Sequence, residues 1–144
     1  MISYTENGLT YEINQEKCTA TITNVDQTIS NINIPRTINY ARKDYLIKSV
    51  GKLSFAYHKA IEIVTFSEDC DLEIIEQEAF THSTLKSIFI PTSVTKICSK
   101  SFYSCEELFM VKFTKDSKLT IIEDDAFYCC NFRLFYIPPL VTRI

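Results

Sequence analysis

The sequence predicts a β-rich solenoid of the leucine-rich-repeat type, a right-handed coil of short strands joined by irregular or 3-10 turns. Three observations predict this fold: phenylalanines recur at a regular period, each period carries two apolar signatures, and prolines follow the predicted strands. A chain of 144 residues, of which 46% are hydrophobic, is long enough and apolar enough to bury the core of such a fold.

Four phenylalanines mark the period, with spacings of 25, 22 and 25 residues: Phe55, Phe80, Phe102 and Phe127. A shift of 47 residues also maps Ile74-Ile75-Glu76 onto Ile121-Ile122-Glu123 and Ile90-Pro91 onto Ile137-Pro138. The repeating unit is therefore a pair of coils, one of which is three residues longer than the other. Because the period of the phenylalanines equals the coil length, we expect them to form a buried structural spine.

Each coil carries two apolar signatures. The first is apolar-x-x-apolar-x-apolar, which ends with the in-out-in alternation of a half-buried strand. It occurs at Ile29/Ile32/Ile34, Ile61/Val64/Phe66, Leu85/Ile88/Ile90, Leu108/Val111/Phe113 and Phe132/Phe135/Ile137. The second signature is apolar-x-x-apolar-x4-Phe, and it ends at each spine phenylalanine. Since one coil cannot bury both signatures, stacked coils must share one core.

The residues after each predicted strand explain the alternation in coil length. Pro35, Pro91 and Pro138 each follow a strand directly and stop it, because proline has no amide hydrogen to donate to a neighbouring strand. Alternate coils have a polar loop instead, at residues 67–69 and 114–116, which supplies the three extra residues. The first coil holds about nine further residues, and we expect residues 39–45 to protrude there as a loop.

Residues 1–25 do not fit the repeat and divide the chain into two predicted domains. They read as strands at Ile2–Tyr4, Leu9–Ile13 and Thr19–Thr23, with a hairpin turn at Asn7-Gly8 and a second turn at residues 14–17. We expect this meander to form an N-terminal β cap, with the solenoid covering residues 26–144. The last coil stops at Ile144, and we expect this uncapped, truncated coil to favour self-association.

Composition argues against several functions. The net charge of −3 provides no basic surface for nucleic acid, and two glycines provide no phosphate-binding loop. Apolar runs are too short to insert into a membrane. The six cysteines match no zinc-binding spacing, and no nucleophile, base and oxyanion hole are brought together. We therefore expect a non-catalytic protein with no cofactor and no metal, and with its cysteines reduced.

The outward positions of the predicted strands are the candidate binding surface. In the later coils they carry large apolar and aromatic side chains beside a lysine, and such exposed patches usually mark interfaces. The predicted partner-binding residues are Ile63, Phe89, Met110, Lys112, Leu134 and Tyr136. The alternative is that this patch covers a fold-back of the chain or pairs two copies of it.

Residues 88–105, Ile-Phe-Ile-Pro-Thr-Ser-Val-Thr-Lys-Ile-Cys-Ser-Lys-Ser-Phe-Tyr-Ser-Cys, resemble the repeat of the BspA-like leucine-rich proteins. The longer alternate coil is most similar to the protist versions of that family. The resemblance implies a surface antigen or adhesin on the cell surface that binds host matrix proteins, host cells or other microbes. The N-terminus of the chain has neither the basic nor the apolar region of a signal peptide. A cytoplasmic leucine-rich scaffold for protein–protein interaction is therefore the alternative function.

Overall fold

The computed structural model describes all 144 residues and contains twelve strands and no helix. The strands are β1 (Ile2–Glu6), β2 (Leu9–Asn14), β3 (Thr19–Val25), β4 (Asn31–Ile34), β5 (Thr37–Tyr40), β6 (Lys43–Val50), β7 (Ile63–Phe66), β8 (Ile74–Ile75), β9 (Ser87–Ile90), β10 (Lys96–Ile97), β11 (Met110–Phe113) and β12 (Ile121–Ile122).

Two sheets run along the solenoid. The four-stranded sheet has the order β11-β9-β7-β4 and is parallel throughout, and its strands are those of the first signature. The eight-stranded sheet has the order β1-β2-β3-β6-β8-β10-β12, with β5 paired to β6, and it holds the strands of the second signature. Each of four successive coils thus adds one strand to each sheet, and the fold is the predicted β-rich solenoid.

The side chains of the first signature alternate as its spacing requires. In β9, Ile88 and Ile90 are buried, while Phe89 between them is exposed. The buried side belongs to a single core that also contains the second signature, for example Val94 and Ile97. Both signatures therefore face one shared interior, which is why a single coil could not satisfy either of them.

The spine phenylalanines stack along the solenoid axis. The ring centroids are 4.6 Å apart between Phe55 and Phe80, 4.9 Å between Phe80 and Phe102, and 5.1 Å between Phe102 and Phe127. The first three rings are fully buried, whereas Phe127 is only partly buried.

The turns around the spine are irregular, with no 3-10 helix. In each coil the residues two before and two after the spine phenylalanine have positive φ, as Glu78 (56°) and His82 (55°) do around Phe80. Amides of these turns bond to the next coil: around the second spine ring, Phe80 N donates to Ser101 O at 2.7 Å, and His82 N donates to Tyr103 O at 2.9 Å. A third ladder of backbone hydrogen bonds thus joins the coils outside both sheets.

The N-terminal meander has the three predicted strands. They are antiparallel, and β3 then pairs in parallel with β6 of the first coil. Asn7 and Gly8 both have positive φ, 51° and 80°, as the predicted tight hairpin turn requires. The strands bury Leu9 and Ile22 in the common core, so the meander covers the first coil. We propose that this covering is its role as a cap.

The predicted protruding loop at residues 39–45 is wrong. The chain there forms a hairpin of β5 and β6, with Ala41 and Arg42 as its turn, both at positive φ. Tyr45 is buried, and the ring of Tyr40 packs edge-on against Tyr4 of the meander at 5.2 Å. Burial of the Tyr45 ring and packing of the Tyr40 ring stabilise this hairpin. Its turn lacks the Asn-Gly sequence that usually signals a hairpin.

The fifth strand expected at Phe132–Ile137 is not formed. This segment has no strand pairing with β11, and only Asn131 N bonds to the previous coil, at Leu108 O. Instead Phe132 and Phe135 turn toward the spine, with ring centroids 5.7 and 4.8 Å from that of Phe127. The aromatic residues of this signature are partly buried by ring packing rather than by forming a strand. Leu134 and Tyr136 therefore do not lie on the four-stranded sheet, contrary to the prediction.

Candidate binding face

The outward side of the four-stranded sheet brings four of the predicted partner-binding residues together. We call it the sheet face and define it by Ile63, Phe89, Met110 and Lys112. Phe89 of β9 is paired in register with Lys112 of β11, so their side chains lie next to each other. Phe89 is 47% exposed, a large fraction for a ring on a rigid strand. Lys112 is exposed and forms no ion pair.

A second outward column lies two residues earlier in each strand. Ile63 and Met110 are both in register with Ser87, one on each side of it. Ile63 is exposed, whereas Met110 and Ser87 are half-buried. The column therefore presents two apolar side chains with a small polar residue between them, next to the column of Phe89 and Lys112.

The two ends of the sheet face differ. Toward β4 it becomes polar, where Thr65 donates a hydrogen bond to Asn33 Oδ1 at 2.9 Å. Beyond β11 lie Leu134, 89% exposed, and Tyr136, 59% exposed, on the segment that forms no strand. These two residues are accessible but are not held by a hydrogen-bonded ladder.

A second aromatic surface, which was not predicted from the sequence, lies on the turns. Tyr57 stacks on His82 at 4.9 Å, His82 lies 5.7 Å from Tyr103, and Tyr103 stacks on Tyr128 at 5.2 Å. Aligning the coils on the spine phenylalanine would have revealed an aromatic residue one or two positions after each. In two of these three contacts the rings stack face to face, so each of those rings covers one face of its neighbour.

The position three residues after each spine phenylalanine holds a polar group turned inward. Cys105 Sγ donates to Phe80 O at 3.0 Å, and Cys130 Sγ donates to Phe102 O at 3.2 Å. Burial raises the pKa of the Cys105 thiol to about 11 and that of the Cys130 thiol to about 12. All six cysteines are free. These two thiols are therefore protonated hydrogen-bond donors that join adjacent coils.

His58 occupies the same position in the first coil and is fully buried. Its Nε2 lies 2.8 Å from the carbonyl oxygen of Asp26, and its Nδ1 accepts hydrogen bonds from the amides of Ala60 and Ile61. Since Nδ1 accepts, the ring carries its hydrogen on Nε2, which donates to Asp26. His58 thereby fastens the segment after the meander to the solenoid.

Two glutamates in the loops before the spine are also structural. Glu76 Oε2 accepts a hydrogen bond from Lys52 N, and Glu123 Oε2 accepts one from Ser99 N. Glu123 is also paired with Lys96 at 2.9 Å, and this hydrogen bond is the main reason its pKa is lowered. Each carboxylate holds the preceding coil.

The fold and its exposed sheet define a class of protein: a parallel solenoid of leucine-rich-type coils that presents one regular face. Residues 23–144 match the family model of the BspA type leucine rich repeat region, which describes six copies of the repeat. The chain therefore belongs to this family, and the resemblance of residues 88–105 is confirmed. No protein of curated function matches the sequence.

Two crystal structures are similar in fold. The pneumococcal vaccine antigen PcpA has a TM-score of 0.61 and 20% identity, with 90% of this chain and 42% of that chain covered. A leucine-rich repeat protein from Bacteroides capillosus has a TM-score of 0.59 and 20% identity, with 99% and 87% covered. At this identity the likeness establishes the fold alone, and the chain spans less than half of the PcpA structure. No helix of this chain has the length and apolarity needed to cross a membrane.

Proposed function

We propose that this chain is a non-catalytic protein-binding module whose partner docks on the sheet face. One observation carries the proposal: Phe89 and Lys112 stand side by side, exposed, on strands fixed by a parallel hydrogen-bonded ladder. Side chains on such a rigid support lose little conformational entropy when a partner binds. Aromatic residues at the centre of an interface typically contribute most of its binding energy.

The finer proposal is that the module belongs to a surface antigen or adhesin that binds a host matrix or cell-surface protein. Its support is membership of the BspA-type family and a fold shared with a protein described as a pneumococcal vaccine antigen. The alternative, an intracellular scaffold, uses the same face for a cytoplasmic partner. Antibody labelling of intact source cells separates the two, because only a surface protein is labelled without permeabilisation.

The sheet face is tested by binding to a panel of immobilised host matrix proteins. The double variant Phe89→Ala plus Lys112→Ala should weaken binding by about thirtyfold or more, since truncating a central aromatic anchor typically costs over about 2 kcal/mol. Thermal stability should hardly change, because neither side chain is in the core. Tyr136→Ala shows separately whether the last segment contributes.

The matched control is Tyr128→Ala. This ring is 54% exposed, close to the exposure of Phe89, but it lies in the aromatic column of the turns. It should leave binding unchanged. Equal binding by the parent and the Phe89 double variant would exclude the sheet face, and loss of binding in the control would point to the turns instead.

Self-association is a second proposal, supported by the last coil. Leu134, Ile137, Leu140 and Ile144 are all exposed there, and a cavity of about 510 Å³ opens beside Phe127 and Phe135. We propose that a second copy covers this apolar surface at high concentration. Sedimentation velocity over a concentration series should show dimers, and Leu134→Asp plus Ile144→Asp should remove them. A monomer at every concentration would contradict the proposal.

A further inference from the structure

The alternation in coil length shapes a groove at the ends of the four-stranded sheet. After β7 and β11 the chain makes long polar loops, at residues 67–71 and 114–118, whereas after β9 it makes the short turn at Pro91. The two long loops therefore stand on either side of the short one. Between them lies a groove of about 590 Å³. Its volume is within the range of about 300–1,000 Å³ that is typical of small-molecule sites.

Five of the eleven residues that line this groove carry a hydroxyl group. Thr65, Ser67, Thr92, Ser93 and Thr114 all contribute to it. Thr92 Oγ1 and Thr114 Oγ1 are 2.8 Å apart, so the short turn and the second long loop are linked across the groove floor. The hydroxyl of Ser67 is buried and has no hydrogen-bond partner within the protein. Thr65 and Ser93 use their hydroxyl hydrogens within the protein, Thr65 toward Asn33 Oδ1 at 2.9 Å and Ser93 toward Leu72 O at 2.6 Å, and they keep their lone pairs as acceptors.

The groove also has one charge on each wall and an aromatic rim. Glu68 on the first long loop and Lys118 on the second belong to no ion pair, although Asp69 and Asp71 beside Glu68 are both bound by Arg36. Phe89, 47% exposed, forms the rim toward the sheet face. The groove therefore offers two charged groups outside any ion pair, together with hydroxyl oxygens that can still accept hydrogen bonds, next to an accessible aromatic ring.

We propose that this groove binds a carbohydrate, a short oligosaccharide segment with its apolar ring face against Phe89. The hydroxyl oxygens of threonine and serine accept hydrogen bonds, and the hydroxyls of a sugar donate them. Glu68 accepts strong hydrogen bonds from a pair of sugar hydroxyls, since its carboxylate is charged. The C–H groups on one face of a pyranose fit the electron-rich face of an aromatic ring.

A protein segment fits this lining less well. The cores of protein–protein interfaces are enriched in aromatic residues, Met and Arg and depleted in Ser, whereas five of the eleven residues lining this groove are Ser or Thr. The neighbouring sheet face has the opposite character, with Ile63 and Met110 beside Phe89. Carbohydrate in the groove thus goes beyond the proposed protein-binding function and shares only Phe89 with it.

The test is a titration of the isotopically labelled full chain, followed by amide chemical shifts in NMR, with four probes: maltotriose, chitotriose, lactose and sialyllactose. At least one probe should shift the amides of Thr92, Thr114 and Glu68 in a saturable way. The key variant is Thr92→Val plus Thr114→Val, which keeps the groove shape. It removes both partners of one hydrogen bond together, so neither is left unpaired and stability should be nearly unchanged.

This double variant should bind the same sugar about tenfold more weakly, because two ligand hydrogen bonds are lost. Phe89→Ala should weaken sugar binding to a similar degree, and Tyr128→Ala should leave it unchanged. Matrix-protein binding should survive the threonine double variant, so failure here is distinguishable from failure of the sheet face. The proposal is overturned if no sugar shifts the groove amides, if an unstructured peptide pool shifts them instead, or if the threonine double variant binds as the parent does.

Discussion

The hydrophobic core is covered differently at the two ends of the solenoid. At the N-terminal end, β1 to β3 close over the first coil, and Leu9, Tyr11 and Ile13 are almost completely buried. In the last coil the first signature is present at Phe132, Phe135 and Ile137, yet no strand forms and neighbouring Leu134 is 89% exposed. The same apolar signature thus forms a strand where its backbone pairs with an adjacent coil, and in the last coil its rings pack against Phe127 instead.

The middle of the spine and its last ring make the sharpest test of this difference. Phe102→Ala should cost about 3–5 kcal/mol, because the ring is fully buried between Phe80 and Phe127 and its loss leaves a cavity that fixed coils cannot fill. Phe127→Ala should cost about 2 kcal/mol, since that ring is only partly buried. Urea unfolding of both variants measures the difference, and equal losses would contradict the comparison.

The N-terminal end depends on one buried side chain as well as on its strands. His58→Ala should cost about 3 kcal/mol, because it leaves a cavity and an unpaired carbonyl at Asp26. Hydrogen exchange should show the meander opening faster than β9 and β11.

Ser83→Ala is the matched control for His58, in the equivalent position of the next coil. Ser83 is also buried, but its only side-chain contact of this kind is with Cys105 Sγ at 3.6 Å. This change should cost less than about 1 kcal/mol. If both variants lose the same stability, His58 does not fasten the meander.

The buried and the exposed thiols should differ in their reactivity. At mildly alkaline pH, Cys105 should react with iodoacetamide about a hundredfold and Cys130 about a thousandfold more slowly than an unperturbed thiol, because burial raises their pKa values to about 11 and about 12 and leaves less thiolate. Cys129, which is exposed, should be labelled first. Mass spectrometry of timed samples gives the order, and titration after denaturation should count six free thiols. Fewer than six would show that a disulfide forms.

The smallest expected effect concerns pH. The lowered pKa of Glu123 means that its contribution to stability is present above its unfolded pKa and is lost as pH falls through the lowered folded value. Unfolding of the parent and of Glu123→Gln, compared at neutral pH and at about pH 3, should therefore show a smaller pH dependence for the variant. An unchanged pH dependence would mean that the carboxylate does not hold Ser99 and Lys96 in solution.

Much of the fold could be predicted because it repeats. The spacing of Phe80 and Phe102 predicts the buried spine, and the alternation around Phe89 predicts which side chains face inward or outward. Both predictions work because each coil provides the next coil with the same environment. The left-handed turns around the spine were not predictable in this way. Their positive-φ residues include Glu78, His82 and Lys100, none of them glycine, and their amides donate hydrogen bonds to the adjacent coil.

The candidate sites also differ in how far the sequence predicts them. Spacing alone predicted that Ile63, Phe89, Met110 and Lys112 share one outward face, and their strand registers place them on it. The groove depends on three loops that are far apart in sequence, so no local pattern describes it. The aromatic column of the turns likewise exists only because rings in different coils stack.

The sequence by itself determined the period, the two inward columns and the strands of four coils. The reason is that a repeated apolar pattern is buried when successive coils stack in register. Tertiary structure decided the hairpin of β5 and β6, the missing fifth strand and the groove beside Pro91. In each of these places the conformation is set by what lies across from it: Tyr4 for the hairpin, Phe127 for the last coil and the two long loops for the groove. Contacts of that kind form between coils, and a single coil does not encode them.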